Sequence, residues 1–262
     1  MASEPIKLDT GERREAGNCE QHGAFEGRVL KFAGKEIRLG CPVCMEERKQ
    51  RERAEEEQAK ESEERRLFQR RLGDALIPLR FQSKHFDGYS AKTAEQKKAL
   101  NVCKQYAEFF GDHYRFGRCL ILAGKVGTGK THLACAIANE LITTGRWIPV
   151  YRTVSGLLQY IKGSYDNRSD YTEAQAFENL VRPHLLIIDE VGATKTTEFE
   201  LATLFNVING RYEQQKPTII VTNLKTSELS DAIGERSLDR LREGGGIAAK
   251  FEWNSARSEV SQ

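Results

Sequence analysis

The chain has 262 residues, 30% of them charged and 39% hydrophobic, with a formal net charge of +2. That length holds one large domain or two small ones, and the near-neutral charge excludes a strong global attraction to nucleic acid, leaving only local patches. The apolar runs are too short for a bilayer and no signal peptide opens the chain, so a cytoplasmic protein is expected, its six cysteines serving as metal ligands or buried thiols before disulfides.

Residues 1–18 are polar and read as loose. Next come two chelating pairs, Cys19-x₂-His22 and Cys41-x₂-Cys44, with 18 residues between them. Zinc ribbons pair four cysteines at similar spacing, and here one is a histidine. Phe25 to Leu39 reads as a hairpin turning at Ala33-Gly34-Lys35. A module this small cannot hold itself together by burial, whereas zinc could contribute on the order of 10 kcal/mol. Four ligands would close the coordination sphere, so the site is expected to be structural. A Cys41/Cys44 redox pair and four unrelated residues are the competing readings. Cys103, Cys119 and Cys135 lack such spacing and read as buried thiols.

Residues 46–71 are almost entirely Glu, Arg, Lys, Gln and Ala, without Pro or Gly. Such a segment is a solvated helix laced by ion pairs, or is partly disordered. The expected organisation is a zinc module over 1–45, a charged helical linker over 46–79 and an α/β nucleotide-binding domain over 80–262.

Gly124-Lys125-Val126-Gly127-Thr128-Gly129-Lys130-Thr131 fits the phosphate-binding pattern G-x-x-x-x-G-K-[ST]. The glycines let backbone N–H groups converge on phosphate oxygens, with Thr128 inside the loop. Lys130 brings a cation to the β- and γ-phosphates of ATP, and the Thr131 hydroxyl takes one place around Mg²⁺. The context is right. Cys119–Ala123 reads as a buried strand, and Leu133, Ile137 and Leu141 mark one face of a helix that Gly145 ends.

A strand is expected at Ile148–Tyr151 and a helix from Thr153 with Leu157, Leu158 and Ile161 inward. Leu185-Leu186-Ile187-Ile188-Asp189-Glu190 reads as a buried strand delivering two acids to its carboxyl end, the Walker B pattern. Asp189 would hold Mg²⁺ through its water shell, and Glu190 would deprotonate the attacking water. A helix with Leu201, Leu204, Phe205, Ile208 and Tyr212 on one side follows. Another buried strand, Pro217–Asn223, would let Asn223 reach the γ-phosphate or the attacking water from beside Glu190. Strands alternating with helices specify a parallel sheet with nucleotide at its carboxyl edge.

These motifs, with Thr222-Asn223-Leu224, Gly234-Glu235-Arg236-Ser237-Leu238-Asp239-Arg240-Leu241-Arg242 and the ending Phe251–Arg257, resemble the DnaC/DnaI-type helicase loaders of the AAA+ ATPases and their IstB transposition-helper relatives. The resemblance runs from about Arg80 to Arg257. It implies an AAA+ domain in which Arg240 is an arginine finger acting on a neighbouring subunit, with Arg236 close by. Arg257 would be the sensor 2 arginine on the bound nucleotide, and Asn223 the sensor 1 residue. An aromatic often precedes that last arginine in the loaders, and Ala256 stands there in this chain.

The resemblance also implies an extra helical element over about Ser155–Asn179 facing single-stranded DNA. Within it Lys162 and Tyr165 suit a phosphate contact and a stacking ring, and Phe199 offers a second ring; core or surface aromatics are the competing reading. The expected protein is a bacterial or phage-encoded loader. It would bind the hexameric replicative helicase and single-stranded DNA, assemble into an ATP-dependent oligomer and use hydrolysis as a release switch. The alternative is an IstB-like ATPase that regulates a transposase on double-stranded DNA.

Overall fold

The computed structural model describes residues 12–32, 35–193 and 196–255. It divides into two compact units, Met1–Arg66 and Leu67–Gln262.

In the first unit, β1 (Glu12–Cys19), β2 (Gly23–Phe32) and β3 (Lys35–Arg38) form an antiparallel sheet in that order. The hairpin expected between the ligand pairs is β2–β3, and its turn residues Ala33 and Gly34 lie outside the described residues. Strand β1 corrects the expectation that residues 1–18 are loose, as far as residues 12–18 are concerned. It carries no apolar alternation to announce it. It is held by a full ladder to β2, from Glu12 opposite Leu30 to Cys19 opposite Gly23, and by cross-strand pairs of Arg14 with Glu26 (3.0 Å) and Arg13 with Glu36 (3.4 Å). Helix α1 (Pro42–Asp74) follows as a continuous helix, which decides between the helical and disordered readings of the charged segment. Residues 46–66 are all exposed. A run without Pro or Gly and rich in strong helix formers sustains this.

In the second unit, α2 (Leu79–Gln82), a 3₁₀ turn at Phe86–Gly88, α3 (Ala94–Glu108) and α4 (Phe110–Arg115) precede the sheet. A capping box between Thr93 and Gln96 starts α3. Then come β4 (Leu120–Gly124), α5 (Lys130–Thr143), β5 (Pro149–Thr153), α6 (Val154–Gly163), α7 (Glu173–Val181) and β6 (Leu185–Val191). The chain continues with α8 (Glu198–Glu213), β7 (Thr218–Thr222), α9 (Leu229–Ile233), α10 (Glu235–Arg242) and β8 (Ile247–Phe251). Among the described residues the sheet is five-stranded and parallel, ordered β5-β6-β7-β4-β8.

Both faces are covered, which is why its strands read as unbroken apolar runs. Alternate residues go to opposite sides: Leu120 and Leu122 pack with α3 and α5, whereas Cys119, Ile121 and Ala123 pack with α6, α7 and α8. Leu72, Ala75 and Ile77 belong to the first of these cores. Arg211 of α8 is fully buried beneath the other side. It donates to Thr218 Oγ1 and to the carbonyls of Leu180, Val181, Pro183 and Pro217. The carboxyl ends of β4, β6 and β7 thus meet the start of α5, where the phosphate loop lies.

Candidate functional site

The loop between β4 and α5 has the shape its glycines allow. Gly124 and Gly129 sit at φ +137° and +94°. A Cβ on Gly124 would collide with the Phe251 carbonyl, and one on Gly129 would meet the Tyr89 ring at 2.5 Å. The loop is also tied down: Tyr89 Oη and Trp253 Nε1 both donate to the Thr128 carbonyl, at 3.0 and 3.3 Å. Lys130 is 5% exposed, and its ammonium donates to the carbonyls of Gly124 (2.8 Å) and Lys125 (2.6 Å). Burial pulls it down to about 8, against a smaller upward pull from Asp189.

Asp189, at the end of β6, accepts from Thr131 Oγ1 and Tyr151 Oη on one oxygen, each at 2.8 Å, and from the Glu190 N–H on the other at 2.7 Å. The Tyr151 hydroxyl is pushed well above its ordinary range by burial and by Asp189, so it stays a donor. In a regular strand the next side chain would leave on the opposite face. Glu190 instead takes φ +62°, and the β6–β7 register shifts between Ile188 and Val191. That left-handed residue costs roughly 1–2 kcal/mol. It puts both acids on one cleft of about 370 Å³, shared with Lys130, Thr131 and Asn223.

The cleft fits a nucleotide with a divalent cation: a cradle that tolerates no Cβ, a buried ammonium, and a hydroxyl beside a carboxylate, the oxygen pair that Mg²⁺ prefers. Its other wall was not foreseen. Arg80, Phe81 and Lys84 line it, brought there because buried Asn139 of α5 donates to the carbonyls of Phe81 (3.0 Å) and Lys84 (2.8 Å), and His132 joins them from the first turn of α5. A four-residue helix and the turn after it are too short to show a periodicity that would reveal this.

Of the other expected residues, Arg236 and Arg240 lie on α10, and neither lines this cleft. Arg240 stacks 4.3 Å from the Tyr212 ring and pairs with Glu243 at 3.4 Å. Arg257 and Ala256 lie outside the described residues. Lys162 and Phe199 come together, the ammonium 5.0 Å over the ring, and Lys162 shares a neighbouring cleft with Glu190. Tyr165 is half-exposed, and its hydroxyl donates to Glu173 at 2.7 Å.

In the first unit, the β1–β2 turn supplies Cys19 and His22, and the start of α1 brings Cys41 and Cys44 to them. Their ligand atoms lie within 4.8 Å of one another. Cys19 and Cys44 sulfurs are 3.5 Å apart, and His22 Nδ1 is 3.7, 3.8 and 3.2 Å from the sulfurs of Cys19, Cys41 and Cys44. A tetrahedral zinc with ordinary bond lengths has S···S edges of about 3.8 Å and S···N edges of about 3.6 Å, so the donor set fits that ion. Backbone N–H groups of Gln21 and His22, then the side chains of His22 and Cys44, lower the Cys19 thiol to about 6, while the same contact with Cys19 raises Cys44 to about 11, so the two sulfurs share a proton that a bound metal would displace. His22 Nε2 faces Glu47 Oε1 at 3.3 Å, the carboxylate that would orient a metal-binding imidazole.

Comparison with known proteins agrees with this geometry. The family profile of IstB-like ATP binding proteins matches residues 52–241. The replicative helicase loader DnaC of Buchnera aphidicola subsp. Schizaphis graminum is 34% identical over 192 residues, 73% of this chain and 76% of that protein. DnaC of Escherichia coli strain K12 is 33% identical over 193 residues, 74% and 77% of the two chains. A crystal structure of the DnaC helicase loader superposes with a TM-score of 0.60 at 21% identity, over 67% of this chain and all of that one, a likeness of fold. The span that the family profile matches contains every residue of the nucleotide cleft, and the chain belongs to the IstB-like ATP-binding family, together with the DnaC helicase loaders.

Proposed function

We propose that this protein is an ATP-hydrolysing loader of the replicative DNA helicase. The observation that carries the reading is the match to helicase loaders over 73% of a chain whose nucleotide cleft is intact, with Lys130, Thr131, Asp189 and Glu190 lining it together. ATP would lie with its phosphates on the N–H groups of the loop and on Lys130. Thr131 and Asp189 would hold Mg²⁺, which neutralises phosphate charge when bound. Glu190 takes the proton of the attacking water, and Asn223 orients the γ-phosphate. By the family resemblance, Arg240, which lies outside the cleft, would act on a neighbouring subunit's site, so that hydrolysis depends on assembly. Arg257 is assigned to the bound nucleotide by resemblance alone.

Cys19, His22, Cys41 and Cys44 would hold zinc, which would tie the first unit together. The module of residues 1–45 grips the helicase, with 46–79 as its linker and 80–262 as the ATPase. Single-stranded DNA contacts the shelf made by Lys162 and Phe199, with Tyr165 beside it. A second reading, a transposase regulator on double-stranded DNA, is favoured by the family profile itself.

The deciding experiment mixes the full-length chain and ATP with the hexameric replicative helicase of its host. Wild type should co-elute with the helicase, and a Cys41→Ser/Cys44→Ser variant should not. If wild type leaves the helicase unbound and instead forms ATP-dependent filaments on duplex DNA, the transposase reading replaces this one.

A further inference from the structure

At the end of the sheet opposite the nucleotide cleft, Ile148, His184 and Lys216 stand just ahead of β5, β6 and β7. They line a cavity of about 780 Å³, together with Arg152 of β5, Arg182 just after α7 and Asp74 at the end of α1. The cavity shares no residue with the cleft that holds Lys130. Its volume lies within the roughly 300–1,000 Å³ of pockets that enclose a small organic molecule.

The charge is lopsided. Arg152, Arg182 and Lys216 are cations, and Asp74 is the one carboxylate among the described residues that line the cavity. None of the three cations has an ion pair among the described residues; Arg152 packs 4.7 Å from the Tyr160 ring, and Lys216 donates to the Tyr114 hydroxyl at 2.6 Å. Arg152 is half-buried, and its Nε is sealed from solvent without a hydrogen-bond partner. Burial pulls it below its ordinary value, and the groups that offset this are Tyr160 and Tyr171, not a carboxylate. His184 senses the same field: burial, Lys216 and Arg211 hold it below its ordinary value, so it is neutral at pH 7. Its Nδ1 accepts from the Ile148 N–H at 3.0 Å, which leaves the Nε2 proton to donate. A cation partly withdrawn from water without a counter-ion is unfavourable until an anion arrives.

The rim offers a second kind of contact. Leu76 takes φ +56° just past α1, a conformation that glycine usually fills, and lines the cavity as an exposed apolar side chain beside exposed Ile148.

We infer that this cavity binds a small organic phosphate, with the phosphate held by Arg152, Arg182 and Lys216 and an apolar or aromatic group lying on Leu76 and Ile148. Asp74 counters one of the three cations, and a phosphate monoester, with a charge of about −2, balances the other two. A carboxylate would balance only one. The guanidinium forks also suit an oxyanion with several oxygens. The inference is independent of the helicase reading, because the cavity lies apart from the nucleotide cleft.

Isothermal titration calorimetry on the full-length chain tests it, with phenyl phosphate as the probe and saturating ADP and Mg²⁺ present to fill the phosphate loop. One phenyl phosphate should bind per chain, at least about fivefold more tightly than inorganic phosphate and about tenfold more tightly than benzoate. Arg152→Gln should weaken it by at least about tenfold. Arg182→Gln changes an exposed side chain, so it keeps the test sharp if the first variant unfolds; it should weaken phenyl phosphate at least about threefold and leave ADP affinity unchanged. Absence of binding, equal affinity for inorganic phosphate or benzoate, or indifference to Arg182→Gln overturns the proposal. The remaining arm offers a thymidine hexanucleotide without terminal phosphates. If it displaces phenyl phosphate and binds more tightly, the cavity is part of a nucleic-acid surface and the proposal falls; if phenyl phosphate stays bound, the small-molecule assignment holds.

Discussion

At the scale of single residues, Lys130 makes the nucleotide site sensitive to pH. Its folded value of about 8 means that the free cleft loses this proton as pH rises through 8, while bound phosphates favour the ammonium. ATP affinity should therefore fall as pH goes from 7 to 9.5, by up to about tenfold per unit above 8, and fluorescent-nucleotide titration would show it. Lys130→Arg should flatten that slope, and Lys130→Ala should abolish productive binding at every pH. For folding the sign is opposite. The unfolded chain holds this proton up to about 10.5, so between 8 and 10.5 it binds more protons than the native state, and Lys130 contributes stability that grows with pH. Glu190→Gln should keep ATP affinity within about twofold while lowering single-turnover cleavage by at least about a hundredfold, the effect of removing a general base. Normal turnover by that variant would take the role of base away from Glu190.

At the scale of elements, Arg211 shows how a helix and a strand are pinned without an acid. Its guanidinium satisfies four carbonyls and the Thr218 hydroxyl where α7, α8 and β7 converge. Burial lowers its own value to about 10, so it remains charged at neutral pH. Arg211→Met would strand those acceptors and should cost on the order of 3 kcal/mol, read as a lower urea midpoint. A loss under about 0.5 kcal/mol would mean that water replaces the guanidinium. Nothing in the sequence marks this arginine, since its helix face is announced by Leu204 and Ile208 and a charge there reads as solvated. Strands β4, β6 and β7 and the face of α5 were legible because burial on both sides writes itself as apolar runs and four-residue repeats. Strand β1 was not, because its pairing is made by backbone and surface charge, and Ala248-Ala249 gave β8 too little apolar signal. The two acids at the end of β6 were legible as residues, but the left-handed turn that sets them on one cleft was not.

At the scale of the molecule, the two units should unfold by different levers. The Cys19, His22, Cys41 and Cys44 cluster gathers ligands from the β1–β2 turn and the start of α1, in a unit whose sheet has few buried apolar residues among those described. A zinc chelator should therefore melt that unit, seen as loss of antiparallel-sheet signal, and leave the second unit's midpoint within about 2 °C. ATP with Mg²⁺ should raise the second midpoint only, by about 2.7 kcal/mol of linkage at a hundred times the dissociation constant. A single transition moved by both ligands would contradict the independence of the two cores.

The double acceptance at the Thr128 carbonyl bears on the timing of nucleotide exchange. Tyr89 comes from before the sheet and Trp253 from after its last strand, and together they engage both lone pairs of one peptide oxygen. A peptide held in that way keeps its one amide hydrogen, that of Gly129, turned to the side opposite the two donors. An anion arriving there meets a receptor that need not lose backbone entropy to receive it. Capture should then proceed at an encounter-limited pace, with residence time set by the contacts broken on departure. Replacing either ring with leucine should slow arrival more than it hastens release, a distinction that stopped-flow mixing resolves.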